Sequence, residues 1–361
     1  MNKNTVESAG YFPCDKEKKM KLISFAVPSY NSQNYLAKCV ESLLVGGEDV
    51  EILIVNDGSK DDTAKIADEY QAKYPTIVRA IHKENGGHGS GVNRGLAEAT
   101  GLYYKVVDSD DWVDKDAYLQ LLATMKDHLA KGTDIDLYIT NFVYEHVDDN
   151  TQHVSSYRGK YPVGKVFTWK ETKCLKLWNM ILMHSVIYKT EKARKSGVNL
   201  PEHTFYVDNL FAFQPLPHME KIFYLDIDFY RYYIGRVDQS VTMENLVKRY
   251  DQQIRVMNCM MSAYTYDELK AMNKPLRKLM YHDLNNVMLN TAFFTTAKDS
   301  PERRELYKKM WKDLKARDQK LYYKMKYRTG VAILNPCPWK LKGAITTWCY
   351  KFLCKHVKLG A

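Results

Sequence analysis

Three carboxylates fall within four positions in the segment VVDSDDW, residues 106–112, directly after an apolar run. Asp108 and Asp110, spaced D-x-D on a tight turn, can face a single point and offer hard oxygen ligands to Mg2+ or Mn2+. The remaining coordination positions would be left to phosphate oxygens and water. Asp57 closes another apolar run in the stretch NDGS, where its carboxylate could accept hydrogen bonds from a base or a ribose. The stretch GGHGSGVNRG lets the backbone come close to a phosphorylated ligand and supplies Arg94 as a cation. Together these residue types have the chemistry of a nucleotide-diphosphate site with a divalent metal.

Such groups must be carried by elements that bring them together. LISFAVP (22–28), VEILIVND (50–57), TIVRAIHK (76–83) and LYYKVVD (102–108) are short runs rich in β-branched and aromatic residues, the pattern of strands buried on both faces. The intervening segments have helical spacing, with Tyr35, Cys39 and Leu43 in the first and Ala64, Ala67 and Tyr70 in the second. This alternation predicts an α/β chain with a mostly parallel sheet and helices on both faces. In such sheets ligands bind beyond the carboxyl ends of the strands, and those ends here read PSYN, NDGS, ENGGHGSG and DSDD. Further along, the pattern predicts a helix near 115–131, strands over 135–146 and 155–169, and a helical stretch around 170–184. A helix start within 205–214, a strand over 222–234 and helices from about 244 to 330 complete the expectation.

Two other nucleotide motifs are disfavoured. A dinucleotide fingerprint G-x-G-x-x-G fails because Arg94 stands three residues after Gly91. GKYPVGKV (159–166) has the spacing of a phosphate-binding P-loop, yet Val166 occupies the position that requires Ser or Thr.

VPSYNSQNYLAKCVESLL, EILIVNDGSKDDT and NGGHGSGVNRGLAEATGLYYKVVDSDDWVD, in this order, resemble the successive signatures of family 2 glycosyltransferases. The resemblance is dense over residues 21–125 and thins toward 243. It implies a GT-A fold, a nucleotide-sugar donor, Mn2+ or Mg2+ as cofactor and inverting transfer. Pro28, Tyr30 and Asn31 match the segment that contacts the base, and Asp57 the aspartate that binds base or ribose. Gly86, Gly87, Asn93 and Arg94 match the loop bordering the diphosphate and sugar, while His88 either touches phosphate or caps a helix. Asp108, Ser109 and Asp110 match the D-x-D motif, with Asp108 and Asp110 as metal ligands and Asp111 as an N-cap or supporting group. The general base of the family is a carboxylate ahead of an apolar helix. Asp208 in PEHTFYVDNLFAF occupies that place, with Val207 where Glu is common, Glu202 in reserve, and helix capping as the alternative for Asp208. YRYYIGRVDQSVT resembles the segment folded over the diphosphate, which implicates Arg236, Gln239 and, more weakly, Arg231. The processive Q-x-x-R-W motif is missing, which points to transfer of one sugar per encounter.

The chain has 361 residues and a net charge of +10. Its charge is unevenly placed: residues 301–361 carry sixteen Lys and Arg against four Asp and Glu, the balance of an interaction tail. Seven scattered cysteines without a C-x-x-C pair fit a reducing compartment rather than a disulfide framework or zinc site. The polar first 19 residues contain no apolar core of a signal peptide. A cytoplasmic location follows as an expectation. At the C-terminus, Leu341, Ile345, Trp348 and Phe352 form a helical stripe flanked by Lys351, Lys355 and Lys358. With Trp339 nearby, this is the pattern of a helix lying on an anionic membrane surface, here the inner face of the plasma membrane. The competing expectation is that the stripe packs on the protein. The basic residues come without a nucleic-acid-binding module, so no nucleic-acid partner is expected.

The sequence therefore divides into a flexible extension (1–20), a GT-A catalytic region (21–243), a helical region (244–330) and a basic amphipathic tail (331–361). The expected partners are a nucleotide-sugar, UDP-linked by family habit, a glycan or lipid-linked saccharide acceptor in surface-polysaccharide synthesis, and the anionic membrane. The alternatives are a nucleotidyltransferase that builds sugar nucleotides, which would want a Gly-rich basic loop after the first strand, and a non-catalytic nucleotide-sugar-binding or membrane-binding homologue.

Overall fold

The structure, a computed structural model, describes residues 20–146, 150–177, 179–235 and 243–357. Four parallel strands form one half of the sheet: β1 (Ile23–Ser29), β2 (Val50–Asp57), β3 (Val78–Lys83) and β4 (Tyr103–Val106), in the order β3-β2-β1-β4. Every residue of β1, β2 and β4 is buried, whereas the edge strand β3 is only partly so. The unbroken apolar runs of the central strands match their burial on both faces. Helices α1 (Leu36–Leu44), α2 (Thr63–Lys73) and α3 (His88–Glu98) make the crossovers.

Beyond β4 the sheet becomes mixed. After β5 (Trp112–Val113) and α4 (Lys115–Ala130) come β6 (Leu137–His146), β7 (Thr151–Ser155), β8 (Val166–Phe167), β9 (Val186–Lys189) and β10 (Ile222–Ile234). The order continues β4-β9-β6-β10-β5, with β7 on β6 and β8 on β10. Strand β9 runs antiparallel to both β4 and β6, and β10 runs parallel to β6 with a register break between Tyr224 and Tyr230. Helices α5 (Thr190–Lys195) and α6 (Asp208–Phe213) lie between β9 and β10.

Two expectations fail here. The segment 155–169 is mostly irregular, with only the two residues of β8 in a ladder. Among the described residues of 170–184, only short 3-10 turns at Trp169–Glu171 and Met183–Ser185 stand where a helix was expected. The Trp169 indole N–H shows why: it donates to the carbonyls of Leu216 and Met219, at 3.2 and 2.7 Å, and the chain is pinned by side chains instead of by its own helical ladder.

The C-terminal third is helical: α7 (Met243–Lys248), α8 (Tyr250–Ala263), α9 (Tyr266–Ala271), α10 (Lys274–Thr296), α11 (Pro301–Arg317), α12 (Gln319–Tyr327) and α13 (Trp339–Val357). One apolar cluster runs from Ala26 and Tyr104 in the sheet through Phe211 and Met257 to Leu334. Helix α13 packs on α10 along one face. A Cβ on Gly343 would lie 2.4 Å from the Thr296 carbonyl, the Thr296 and Thr346 hydroxyls bond at 2.9 Å, and Tyr350 stacks on Phe293 with centroids 4.3 Å apart. Trp339 turns toward the protein, edge-on to Tyr307 at 5.9 Å. Leu341, Trp348 and Phe352 face outward, 49%, 68% and 48% exposed.

Candidate functional site

The carboxyl ends of β1, β2 and β4 converge, and the side chains expected there do meet. The loop after β1 is knitted to the loop after β2. Asn31, in the left-handed region at φ +50°, receives the Lys60 N–H on Oδ1 at 2.8 Å, and the Ser32 N–H donates to Thr63 Oγ1 at 2.7 Å. Ser32 and Ser109 hydroxyls bond at 2.7 Å, which ties the first loop to the D-x-D turn. Tyr30 remains half exposed beside them, and Pro28 lies under α3, where a Cβ on Gly91 would reach its side chain at 3.0 Å.

Asp57 is 3% exposed. Its Oδ1 accepts from Lys83 Nζ at 2.6 Å and the Gly86 N–H at 2.9 Å, and its Oδ2 from the Gly87 N–H at 2.7 Å. Its carboxylate thus shapes the glycine loop from inside. Gly87 sits at φ +83°, a conformation that suits glycine. Asn93 is similarly engaged, donating to the Leu200 carbonyl at 2.8 Å and accepting the Leu200 N–H at 2.9 Å. Arg94 pairs with Glu98 at 2.8 Å along the outer face of α3.

His88, the first residue of α3, donates from Nε2 to Asp108 Oδ1 at 2.7 Å. Burial disfavours its charged form, but the charges of Asp108, Asp208 and Asp110 outweigh this and hold its pKa above the ordinary value. Burial likewise opposes ionisation of Asp108, yet His88, then His184 and Lys105, keep its carboxyl below the usual range. Asp111 behaves differently: burial, reinforced by Asp110 and Asp108, pushes its pKa well up. It is not the N-cap of α4. That position is Asp114, which accepts the Ala117 N–H, while Asp111 accepts from the Tyr230 hydroxyl at 2.5 Å and the Tyr233 N–H at 2.8 Å. The Tyr230 hydroxyl also accepts the Asp108 N–H at 3.1 Å, so β10 braces the whole turn.

Two residues of this site were not singled out from the sequence. Lys105 on β4 is fully buried and donates from Nζ to the carbonyls of Met183 and His184 at 2.8 and 2.6 Å. A lysine inside an otherwise apolar strand was the available signal. His184 is 5% exposed, and burial above all drives its pKa down to about 3, so the ring is neutral. Its ring lies against Tyr232 at 4.4 Å, and its Nδ1 has no hydrogen-bond partner. Nothing in LMHSV marked this histidine in advance.

Among the described residues, one group of three could hold a metal: ligand atoms of Asp108, Asp111 and His184 lie within 4.8 Å of one another. Two carboxylates and a neutral imidazole with an unpartnered nitrogen are a donor set suited to a divalent cation such as Mn2+. The metal that the fold family implies therefore fits, on a set that shares Asp108 with the expected D-x-D pair but has Asp111 and His184 in place of Asp110. Asp110 is partly exposed at the same turn.

Asp208 opens α6, with Val207 in the N-cap position. Burial raises its pKa, Asp108 adds to this, and His88 opposes it. Glu202 is exposed and accepts from the Ser90 hydroxyl at 3.1 Å. The segment between them contains two non-glycine residues in the left-handed region, His203 at φ +47° and Tyr206 at φ +66°, the kind of backbone strain that gathers at functional sites. It is held from two sides. The His203 N–H donates to the Gly86 carbonyl at 2.7 Å, and from α8 Gln252 accepts the Phe205 N–H at 2.9 Å while Arg255 donates to Thr204 Oγ1 at 2.8 Å. Arg231 is bound by Glu145 and Asp114 at 3.0 and 2.9 Å. Arg236 and Gln239 lie outside the described residues.

Residues 24–187 match the family model described as Glycosyl transferase family 2. This region of the chain is a family 2 glycosyltransferase domain. Among relatives of the chain, EpsH of Bacillus subtilis strain 168, named as a glycosyltransferase, is 30% identical over 240 residues, 64% of each chain. Chondroitin synthase of Escherichia coli is 29% identical over 215 residues, 57% of this chain and 29% of that one. The chain thus spans 64% of EpsH and less than a third of the synthase. Staphylococcus aureus TarS residues 1–349, solved in complex with UDP, superposes with a TM-score of 0.62 at 19% identity, covering 90% of this chain and 88% of that one. The complex of the same protein with UDP-GlcNAc gives a TM-score of 0.61. The fold is GT-A, as the sequence motifs implied.

Proposed function

We propose that the protein transfers a single sugar from a nucleotide-diphosphate sugar, UDP-linked, to a hydroxyl of a glycan or lipid-linked saccharide in surface-polysaccharide synthesis. The observation that carries this reading is the placement of Asp57, Asp108 and Asp111 at or just beyond the carboxyl ends of β2 and β4, with His88 hydrogen-bonded to Asp108 and near enough to Asp208 for their charges to interact. The UDP and UDP-GlcNAc complexes of TarS support a UDP-linked donor.

In this reading Asp108, Asp111 and His184, with Asp110 at the rim, would hold Mn2+ or Mg2+, which when bound neutralises charge on the departing diphosphate. Tyr30 and Asn31 border the base, and the loop at Gly86 and Gly87 borders the diphosphate and sugar. Asp208 takes the proton from the acceptor hydroxyl as that oxygen attacks the anomeric carbon in line, with inversion. Its raised pKa suits a base, and His88 supplies a positive charge between Asp108 and Asp208. The family resemblance assigns Arg236 and Gln239, which lie outside the described residues, to the diphosphate.

The outward face of α13 is proposed to rest on anionic lipid at the inner face of the membrane. Leu341, Trp348 and Phe352 would enter the headgroup boundary and Lys340 and Lys351 reach phosphates. Among the described residues no helix is long and apolar enough to cross a membrane.

A thermal-shift panel of UDP-, GDP-, CMP- and dTDP-sugars with and without Mn2+ tests the donor site, because a ligand that binds only the native state raises its stability. Stabilisation by UDP-sugars that needs Mn2+ is the expected result. Equal response to every nucleotide, or none, would reject the assignment.

A further inference from the structure

A groove of 830 Å3 lies between α9 and α12, remote in sequence from the catalytic loops. Tyr266 and Lys270 line it from α9, Tyr323, Lys324 and Tyr327 from α12, and Arg328 from just beyond. Lys320 completes the lining and pairs with Asp267 at 2.8 Å. Among the described residues no carboxylate lines the groove, and Lys270, Lys324 and Arg328 have none within 4.0 Å.

The core does not require these rings. Helix α12 buries Leu321, Tyr322 and Met325, while Tyr323 and Tyr327 are 49% and 48% exposed and stack on each other with centroids 5.9 Å apart. Exposed aromatic faces in a groove mark a binding surface more than a solvated one. Tyrosine faces present flat apolar area with a polar edge, which suits the C–H face of a sugar ring. Lysine and arginine at intervals along the same groove suit repeated carboxylates or phosphates.

The position fits an extended ligand. The first turns of α8 hold the segment 204–205 ahead of Asp208 through Gln252 and Arg255, and its other end leads through Tyr264 and Thr265 into α9. At the rise of an α-helix, the fourteen residues of α8 separate the two by about 20 Å. A chain of several sugars can reach from one to the other.

We infer that this groove binds an acidic glycan, the anionic sugar chain to which the proposed transfer adds. The inference rests on the glycosyl-transfer reading for the word acceptor, but the groove binds its ligand whether or not transfer occurs.

The test is a direct titration of the full chain with fluorescein-labelled polygalacturonate oligosaccharide, with neutral dextran and inorganic polyphosphate as comparisons. Two double variants accompany it, Tyr323→Ala with Tyr327→Ala, and Lys324→Gln with Arg328→Gln. The expected result is binding of polygalacturonate but not dextran, weakened ~10-fold in either double variant, with the thermal shift by a UDP-sugar unchanged. Binding that survives loss of both tyrosines, or that polyphosphate reproduces equally well, would make the groove a plain cationic patch and overturn the proposal. Absence of polygalacturonate binding, or displacement by anionic vesicles, would overturn it too. If polygalacturonate binds and no nucleotide-sugar does, the groove stands and the donor assignment falls.

Discussion

Replacing Lys105 by methionine should loosen the site from below. The ammonium is fully buried, and burial drives its pKa well below the ordinary value against the pull of Asp108 and Asp111. Its two hydrogen bonds, to the carbonyls of Met183 and His184, set the turn that carries His184. Bonds from a charged donor contribute about 1.5–3 kcal/mol each, so roughly 3–6 kcal/mol is at stake. Removing a buried charge returns a few kcal/mol of desolvation, which from the middle of that range leaves a net loss of about 2 kcal/mol. For a chain of this size that corresponds to a fall in Tm of about 2–3 °C. Freed from its anchor, His184 should also lose its place beside Asp108 and Asp111, and Mn2+ affinity should fall ~10-fold, as for other residues that orient a ligand. Differential scanning calorimetry reads the first effect and Mn2+ titration by electron paramagnetic resonance the second. A Lys105→Met protein as stable as the parent, with unchanged Mn2+ binding, would refute the account of both residues.

Asp208→Asn should leave donor binding within about twofold while lowering transfer ~100-fold or more, the range for loss of a general base; persistence of transfer would move the role to Glu202. Because burial raises the Asp208 pKa and a base acts deprotonated, the acid limb of kcat/KM should lie above the ordinary carboxylate value of 3.8. A limb at or below that value would remove Asp208 from the chemistry. Asp136 is buried and accepts from Lys192 Nζ and the N–H groups of Glu220 and Lys221 at 2.7, 2.8 and 3.0 Å. Burial pulls its pKa up, but these donors win and hold it below the ordinary value. Its ionised form therefore stabilises the fold above about pH 4, and this contribution is lost as the pH falls through the depressed value. Asp136→Asn should cost about 2–4 kcal/mol at pH 7, less in acid, measured by urea unfolding at both pH values. Removing residues 339–361 should reduce sedimentation with anionic vesicles, and equal sedimentation would reject α13 as the contact.

Much of the sheet was legible because both-face burial writes itself as unbroken apolar runs; β2 and β6 lie where such runs stand in the sequence. The positions of Asp57 and Asp108 were legible for a related reason, as charges at the ends of apolar runs, whereas Asp208 was reached only through the family resemblance. The segments 155–169 and 170–184 were not, because their shape depends on partners distant in sequence, such as the Trp169 indole on Leu216 and Met219. His184 was invisible on the same ground, since its place is set by Lys105 across the sheet. Helix α13 meets the expectation of packing on the protein, through Gly343, Thr346 and Tyr350, and leaves Trp348 and Phe352 exposed, so its contact with a membrane stays a proposal. A single apolar stripe did not reveal that the small and hydroxyl residues form the packed face.

The bond from the His203 N–H to the Gly86 carbonyl, continued through the Gly86 and Gly87 N–H groups to Asp57, bears on how such a protein can be redesigned. Grafting residues 84–88 from a relative with another donor preference would alter the backbone against which the segment leading to Asp208 is set. On the proposed roles, donor choice and base placement are thus not interchangeable cassettes, and a graft that changes one has to carry residues 202–208 with it.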